Sequence, residues 1–337
     1  MRSFKKTLAK LLVFIACVLL ITELVTEPYF QNEVFQYQDS AVRDTYAGQL
    51  DALICGSSHA YRAIMPTVLD ETLGTSSYNL SNSMITMRGR YELLRQEIAR
   101  NPVNFVILDA TYNSMTRSRA AEGPEGDIYQ LGRYRNFFTR AGYFFKTIRL
   151  DEYGRVYYDM LSRGVTSWRK LLDGKGARGT SVKYETRGFA PMEEAVPRPV
   201  TPPEEYGSYP LQTALDPDCV YYMGKILELC QQQGIQVLVV VTPISQAELL
   251  KFDGIDTVYT NLMTYFADRG VTMLDFNLYQ GKQTLFPDET AYSDDTHMSP
   301  AGAADFSALL AKTIAQWRAG QDVTGDFYPS YAAAQAA

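Results

Sequence analysis

A serine near the start of the chain and a histidine near its end are the residues most able to do chemistry together. Ser58 follows the short apolar run 53–55 and a Gly-Ser pair, and His297 stands three residues after Asp294. A serine hydroxyl is a weak nucleophile at neutral pH and needs a base within hydrogen-bond reach. A strand that turns sharply into a helix exposes such a serine at the top of a sheet. The pattern therefore predicts nucleophilic serine chemistry.

Two short blocks resemble the SGNH (GDSL-type) hydrolase superfamily. Gly-Ser-Ser-His at 56–59 resembles its first block, and Asp-x-x-His at 294–297 resembles its last. The variant is most similar to membrane-anchored members that modify cell-envelope polymers, such as the lipoteichoic acid D-alanylation and alginate O-acetylation proteins. The resemblance implies that Ser58 is the nucleophile, that His297 is the general base, and that Asp294 orients His297.

The resemblance also implies an oxyanion hole. In the family it combines the backbone N–H of the nucleophile, a glycine N–H from a second block and an asparagine side chain from a third. These positions correspond to Ser58 itself and to Asn113, which follows the predicted strand 105–108. The second block, 78–83, contains no glycine, so the N–H of Asn82 or of a flanking serine is the candidate second donor.

Further residues are expected to border the site. His59, Arg62 and Tyr112 are predicted to contact substrate, with His59 as a wall of the site and not a second base. Asp295 is an alternative to Asp294 as the residue that orients the histidine. Asn79 is expected to hold its loop in place.

Other classes of site have little support in the sequence. The formal net charge of −6 argues against a nucleic-acid partner, because phosphate binding needs a basic face. With two histidines, and without Cys-x-x-Cys or His-Glu-x-x-His spacing, no metal is predicted. No glycine-rich phosphate loop follows a strand, so no nucleotide or other cofactor is expected either.

The N-terminus predicts a membrane anchor. Basic residues precede the uninterrupted apolar run 11–21, and no small-residue cleavage site follows it. An uncleaved helix over residues 1–28, with the basic flank in the cytoplasm and the rest outside, fits this pattern best. A cleaved signal peptide and a buried core helix are the alternatives.

The remaining chain alternates strands and helices, which is typical of a parallel sheet covered on both faces. The fold class expected from the resemblance is α/β, a flavodoxin-like three-layer SGNH fold with a large insertion and an N-terminal transmembrane helix. The predicted segments are a linker at 29–49, a catalytic domain at 50–320 with the insertion at 114–215, and a disordered tail at 321–337. The insertion is predicted to lie over the site, although a partly disordered excursion, above all at 178–210, is also open.

These expectations favour a membrane-anchored extracytoplasmic O-acyltransferase that modifies a cell-envelope glycopolymer through an acyl-serine. Its partners would be the glycopolymer acceptor and an acyl donor, with a membrane-embedded acyl donor protein as a further candidate. An extracellular esterase or deacetylase is the first alternative. A non-catalytic envelope assembly protein is the second, although a scaffold has no use for Ser58, Asp294 and His297 together.

Overall fold

The computed structural model describes residues 2–117, 123, 125–174, 186–192 and 207–337. The chain forms two compact units. One comprises residues 1–41 and 128–181 and is helical where it is described; the other comprises 42–127 and 182–337 and is α/β. Most of 178–210, the part of the predicted insertion that was also open to disorder, lies outside the described residues. The predicted position of the insertion over the site stays a prediction.

A parallel five-stranded sheet is the centre of the α/β unit. Its strands stand in the order β2-β1-β3-β5-β7, and every neighbouring pair is parallel. Two short strands, β4 and β6, pair separately. The strands are β1 (Ala52–Cys55), β2 (Ser77–Asn79), β3 (Phe105–Asp109), β4 (Tyr209–Pro210), β5 (Gln236–Val241), β6 (Phe252–Asp253) and β7 (Thr272–Asp275).

Alternating apolar side chains explain why this sheet is buried on both faces. In β1, Leu53 packs into one core cluster and Ile54 into the cluster on the opposite face. Successive residues of a strand point to opposite faces, so strands covered on both sides consist of near-continuous apolar residues. The runs of β3 and β5 repeat this arrangement. The predicted parallel α/β sheet is therefore confirmed.

Helices cover both faces of the sheet. Met87–Arg100 and Pro217–Gln232 contribute to one core cluster, and Pro66–Leu73 and Pro300–Arg318 to the other. Their ends follow the local sequence: Ser299 caps the last of these helices, and Gly74 ends Pro66–Leu73 with a φ of 66°. The other helices of four or more residues in the described α/β unit are Ser58–Ala63, Gln246–Leu249, Ile255–Ala267, Lys282–Leu285 and Tyr331–Ala336.

The helical unit is built around the N-terminal helix, Arg2–Glu33, against which Tyr153–Leu172 packs. Gly164 allows a close approach, because a Cβ there would lie 2.3 Å from the carbonyl oxygen of Val25. Phe137–Thr147 belongs to the same unit, and the helices Phe35–Asp44 and Glu125–Leu131 run across the boundaries between the two units.

Two predicted segments have more regular structure than was expected. The linker predicted at 29–49 is largely helical, because Arg2–Glu33 continues through Pro28 and buries Phe30, and Phe35–Asp44 follows. The tail predicted to be disordered at 321–337 ends in the helix Tyr331–Ala336, which Tyr331 anchors by burying its ring in the core. The predicted single catalytic domain also differs, since 128–174 belongs to the helical unit.

One helix among the described residues, Phe4–Glu33, is long and apolar enough to cross a membrane. Its side chains from residue 4 to residue 21 are exposed throughout.

Candidate active site

Ser58 stands where β1 turns into a short helix. Gly56, directly after β1, lies so close to Asp109 that a side chain would not fit, since a Cβ there would lie 2.5 Å from the Cβ of Asp109. Ser57 is extended and caps the helix Ser58–Ala63, its Oγ accepting the N–H of His59 at 3.3 Å. Ser58 is consequently the first helical residue and is partly exposed.

The histidine lies in the loop that joins β7 to the last long helix. The carboxylate of Asp294 accepts the backbone N–H of Thr296 at 2.8 Å and that of His297 at 2.7 Å. This local turn, typical of aspartate in loops, fixes Asp294 relative to the ring of His297. The spacing of three residues seen in the sequence therefore has a structural reason.

Ser58, His297 and Asp294 form a continuous hydrogen-bonded line. Ser58 Oγ lies 2.9 Å from His297 Nε2, and His297 Nδ1 lies 2.8 Å from Asp294 Oδ2. In the tautomer that this arrangement favours, Nδ1–H donates to the carboxylate and Nε2 accepts the serine proton. The chain thus brings together two segments that are separated by 239 residues.

The Asp294 carboxylate is kept ionised. Partial burial raises its pKa, but the hydrogen bond and charge of His297 and the N–H groups of the turn outweigh that effect, so the pKa lies well below its usual value. Asp295, the alternative orienting residue, is directed elsewhere and lies 3.4 Å from Lys251 Nζ. Asp294 is therefore the carboxylate that contacts the histidine.

His59 lies beside the base without a hydrogen bond to it. The two imidazole rings are 5.1 Å apart, and Nδ1 of His59 is buried with no partner among the described residues. Burial, reinforced by the neighbouring His297, lowers the pKa of His59 to about 3. His59 is therefore neutral near pH 7 and lies beside the ring of His297, and its contact with substrate stays a prediction.

A buried carboxylate beneath the serines was missed by sequence reasoning. The carboxylate of Asp109, at the end of β3, accepts two hydrogen bonds from Ser57, one from the side-chain hydroxyl at 2.9 Å and one from the backbone N–H at 3.3 Å. Arg90 donates to the backbone oxygen of Asp109 at 2.7 Å. Burial raises the pKa of Asp109, and the charge of Arg90 opposes that rise. The available signal was an acidic residue directly after an apolar strand.

The predicted oxyanion hole is only partly consistent with the structure. Asn82 is not available, because its backbone N–H donates to the carbonyl oxygen of Gly56 at 3.1 Å and its side chain donates to that of Gly126. Asn113 lines a small cavity of about 60 Å³ together with Ser57 and makes no hydrogen bond to Ser58 within the described ranges. The backbone N–H of Ser58 is the candidate donor that remains at the helix start.

Two residues predicted to contact substrate, Arg62 and Tyr112, are engaged elsewhere in the structure. Arg62 is buried and donates to the carbonyl oxygens of Ala190 and Pro191, so its charge fixes the segment 186–192. Tyr112 is also buried, and its hydroxyl bonds to Asp275 and to Asn277. Neither side chain is directed at the Ser58 hydroxyl, since each is committed to a partner elsewhere.

Asn79 has the structural role that was expected. Its amide donates to the carbonyl oxygens of Ala60 and Ile64, each at 3.0 Å, and its Oδ1 accepts the N–H of Ser81. The loop after β2 is thereby tied to the helix that carries Ser58.

No protein-family model matches this chain, and no curated protein sequence matches it either. The arrangement of Ser58, His297 and Asp294 permits attack of an activated hydroxyl on a carbonyl carbon, followed by return of the proton to a leaving group. The described part of the chain contains no cluster of three or more His, Cys, Asp or Glu side chains able to hold a metal.

Proposed function

We propose that the chain is a membrane-anchored extracytoplasmic O-acyltransferase of the SGNH type, which modifies a cell-envelope glycopolymer through an acyl-Ser58 intermediate. The observation that carries the proposal is the line from Ser58 through His297 to Asp294, with both hydrogen bonds below 3 Å. A non-catalytic assembly protein would have no need for this line. The strand order β2-β1-β3-β5-β7 also supports a flavodoxin-like SGNH fold.

In the proposed reaction, Ser58 Oγ attacks the carbonyl carbon of an acyl donor while His297 Nε2 takes the proton. The resulting oxyanion lies near the backbone N–H of Ser58, and His297 then returns the proton to the departing group. A hydroxyl of the glycopolymer repeats the attack on the acyl-serine, His297 again takes its proton, and Ser58 Oγ leaves and recovers a proton. Asp294 stabilises the imidazolium in both halves without being protonated itself.

The proposed location rests on the apolar helix Phe4–Glu33. Its exposed apolar side chains need a non-aqueous environment, and the run is long enough for a bilayer core of ~30 Å. Lysines and an arginine before residue 11 support the orientation with the N-terminus in the cytoplasm.

Hydrolysis is a second candidate that one observation favours. The side chains of His297 and Asp294 are 22% and 38% exposed, so water reaches the site as it stands. The same base serves either acceptor, and the acceptor that is held in position decides the outcome.

The experiment supplies full-length protein in detergent with an activated acyl ester, with and without a soluble glycopolymer. The proposal predicts acylated polymer as the main product when the polymer is present, and neither product with Ser58→Ala. Hydrolysis of the ester without acylated polymer would support the esterase alternative. The absence of both products with the native chain would contradict the proposal that the chain is an enzyme.

A further inference from the structure

The helical unit contains a cavity that the catalytic site does not use. It has a volume of about 210 Å³ and is bordered by the N-terminal helix and by the helices Phe137–Thr147 and Tyr153–Leu172. Its apolar lining includes Val18, Leu19, Ala141 and Phe144. This volume exceeds what a single water needs several times over, and apolar walls offer water few partners.

Of the two charged residues that border the cavity, Glu23 and Arg140, the arginine has an unusual environment. Arg140 is one of the residues that border the cavity, and its side chain is 6% exposed. Its Nε donates to the carbonyl oxygen of Tyr134, and its Nη1 donates to Glu23 and Glu27. Its Nη2 is buried and has no hydrogen-bond partner within the described part of the chain. A buried donor of this kind costs free energy until an acceptor reaches it.

The charges around Arg140 decide which acceptor fits. Two carboxylates, Glu23 and Glu27, lie 3.1 and 3.0 Å from its guanidinium, so its positive charge is already compensated. A ligand carboxylate would be repelled by this pair. A neutral carbonyl oxygen would accept from Nη2 without that repulsion, so an ester suits the position better than a free acid.

The level of the cavity along the N-terminal helix indicates the source of the ester. Residues 8–25 rise about 27 Å, close to the ~30 Å of a bilayer core. The cavity residues Val18 to Thr26 therefore lie in the outer half of the span, and Glu23 and Thr26 lie nearest its outer end, where the ester groups of glycerolipids lie. Trp168, whose Nε1 donates to the Leu24 carbonyl oxygen, has the amphipathic character common at that level.

The surface of the same unit is also suited to lipid. Exposed apolar and aromatic side chains occur along the helices Phe137–Thr147 and Tyr153–Leu172 and the turn between them. Such a surface is unusual in contact with water alone. They are Phe138, Phe145, Leu150, Tyr158, Val165 and Leu172.

We propose that this cavity binds an acyl chain of a bilayer glycerolipid, with the ester carbonyl of the lipid accepting a hydrogen bond from Nη2 of Arg140. The inference rests on the proposed membrane insertion of the N-terminal helix and is independent of the chemistry at Ser58. The lipid would hold the helical unit at the outer face of the membrane.

The test uses full-length protein in nanodiscs that contain phosphatidylcholine with a photoactivatable diazirine in its acyl chain. Crosslinks are expected on the peptides 137–145 and 157–160. Ala141→Trp fills the cavity and should lower crosslinking there about tenfold or more. Ser162→Trp, on the exposed face of Tyr153–Leu172, is the matched control and should leave it unchanged. Crosslinking in Ala141→Trp equal to that of the native chain, or crosslinks confined to segments other than 137–145 and 157–160, would overturn the proposal.

Two lipid analogues test the contact with Arg140. An ether-linked phosphatidylcholine lacks the ester carbonyl and should crosslink about fivefold less than the ester, and a diazirine fatty acid should also crosslink less. Arg140→Lys should abolish the preference for ester over ether. Equal crosslinking of ester and ether in the native chain would contradict the assigned hydrogen bond. Ser58→Ala should leave all lipid crosslinks unchanged, which separates this proposal from the catalytic one.

Discussion

Two clusters of polar side chains at the carboxyl edge of the same sheet have opposite characters. Ser58, His297 and Asp294 are partly exposed and form a line that ends at a free hydroxyl. Asp275, which ends β7, and Tyr112, which follows β3, belong to a second cluster that is sealed from water.

The second cluster is closed by residues that are distant in sequence. Asp275 accepts the hydroxyl of Tyr331 at 2.7 Å and the backbone N–H of Asn277 at 3.0 Å, and the hydroxyls of Tyr112 and Tyr331 bond to each other. Burial raises the pKa of Asp275, whereas the pKa of Asp294 is lowered by its partners. The comparison indicates that a polar residue at a strand end can reach a substrate only where its partners leave room for one.

The largest expected difference is between the two aspartates. Asp294→Asn removes the acceptor that fixes the tautomer of His297 and should lower ester turnover by about 10³–10⁴-fold with little loss of stability. Asp275→Asn should retain turnover and lower the free energy of unfolding by about 1–3 kcal/mol. Turnover and urea unfolding are measured on both variants.

Asp295→Asn is the matched control for this pair. The side chain of Asp295 is 45% exposed, and its ion pair with Lys251 lies at the surface, so both turnover and stability should stay near those of the native chain. A loss of turnover in Asp295→Asn as large as in Asp294→Asn, or full turnover in Asp294→Asn, would contradict the assignment.

A smaller effect is expected from His59 and depends on pH. Its pKa is about 3 in the folded chain and ~6.5 when unfolded, so the unfolded chain binds more protons between these values. The free energy of unfolding should therefore fall as the pH drops through 6.5, by about 2 kcal/mol from this group between pH 7 and pH 5. His59→Asn should flatten the slope by that amount.

The fluorescence of Trp317 reports unfolding of the α/β unit when Trp168, the other tryptophan, is replaced by phenylalanine. Native and His59→Asn chains are compared at pH 5 and pH 7 in this background. His297, Asp294 and Arg90 face His59 in both chains, so the difference between the slopes isolates His59. Identical slopes would show that His59 is not held neutral by its surroundings.

The smallest effect concerns the closure of the buried cluster. Tyr331→Phe removes one donor to Asp275 and should cost about 1–2 kcal/mol. Tyr328→Phe changes a partly exposed tyrosine of the same C-terminal segment and should cost less than about 0.5 kcal/mol. If Tyr331→Phe unfolded at the same urea concentration as Tyr328→Phe and the native chain, the stabilising hydrogen bond from Tyr331 to Asp275 would be contradicted.

The sequence allowed the sheet to be predicted well because its signals are local. The β-branched run at 235–241 and the Gly74 stop lie within a residue or so of the observed element ends. The contact among Ser58, His297 and Asp294 was also expected from the sequence, since each follows a recognisable strand or turn. The spacing of three residues between Asp294 and His297 is enough to place the carboxylate against the imidazole ring, because the local turn holds both.

The predictions that the structure does not support concern the directions of side chains and the contacts between residues that are distant in sequence. Tyr112 and Asn113 are neighbours in sequence, yet one hydroxyl enters the buried cluster while the other side chain lines a cavity with Ser57. Nothing local distinguishes them. The tail was predicted to be disordered, whereas the buried Tyr331 anchors it through Asp275.

The central claim is that Ser58 is a nucleophile activated by His297, and covalent labelling tests it most directly. Full-length protein is treated with a fluorophosphonate, and the adduct is located by peptide mass spectrometry. The expected result is one adduct on Ser58, which disappears in Ser58→Ala and persists, at reduced rate, in the neighbouring Ser57→Ala. An adduct that survives Ser58→Ala, or a native chain that acquires none, would contradict the account.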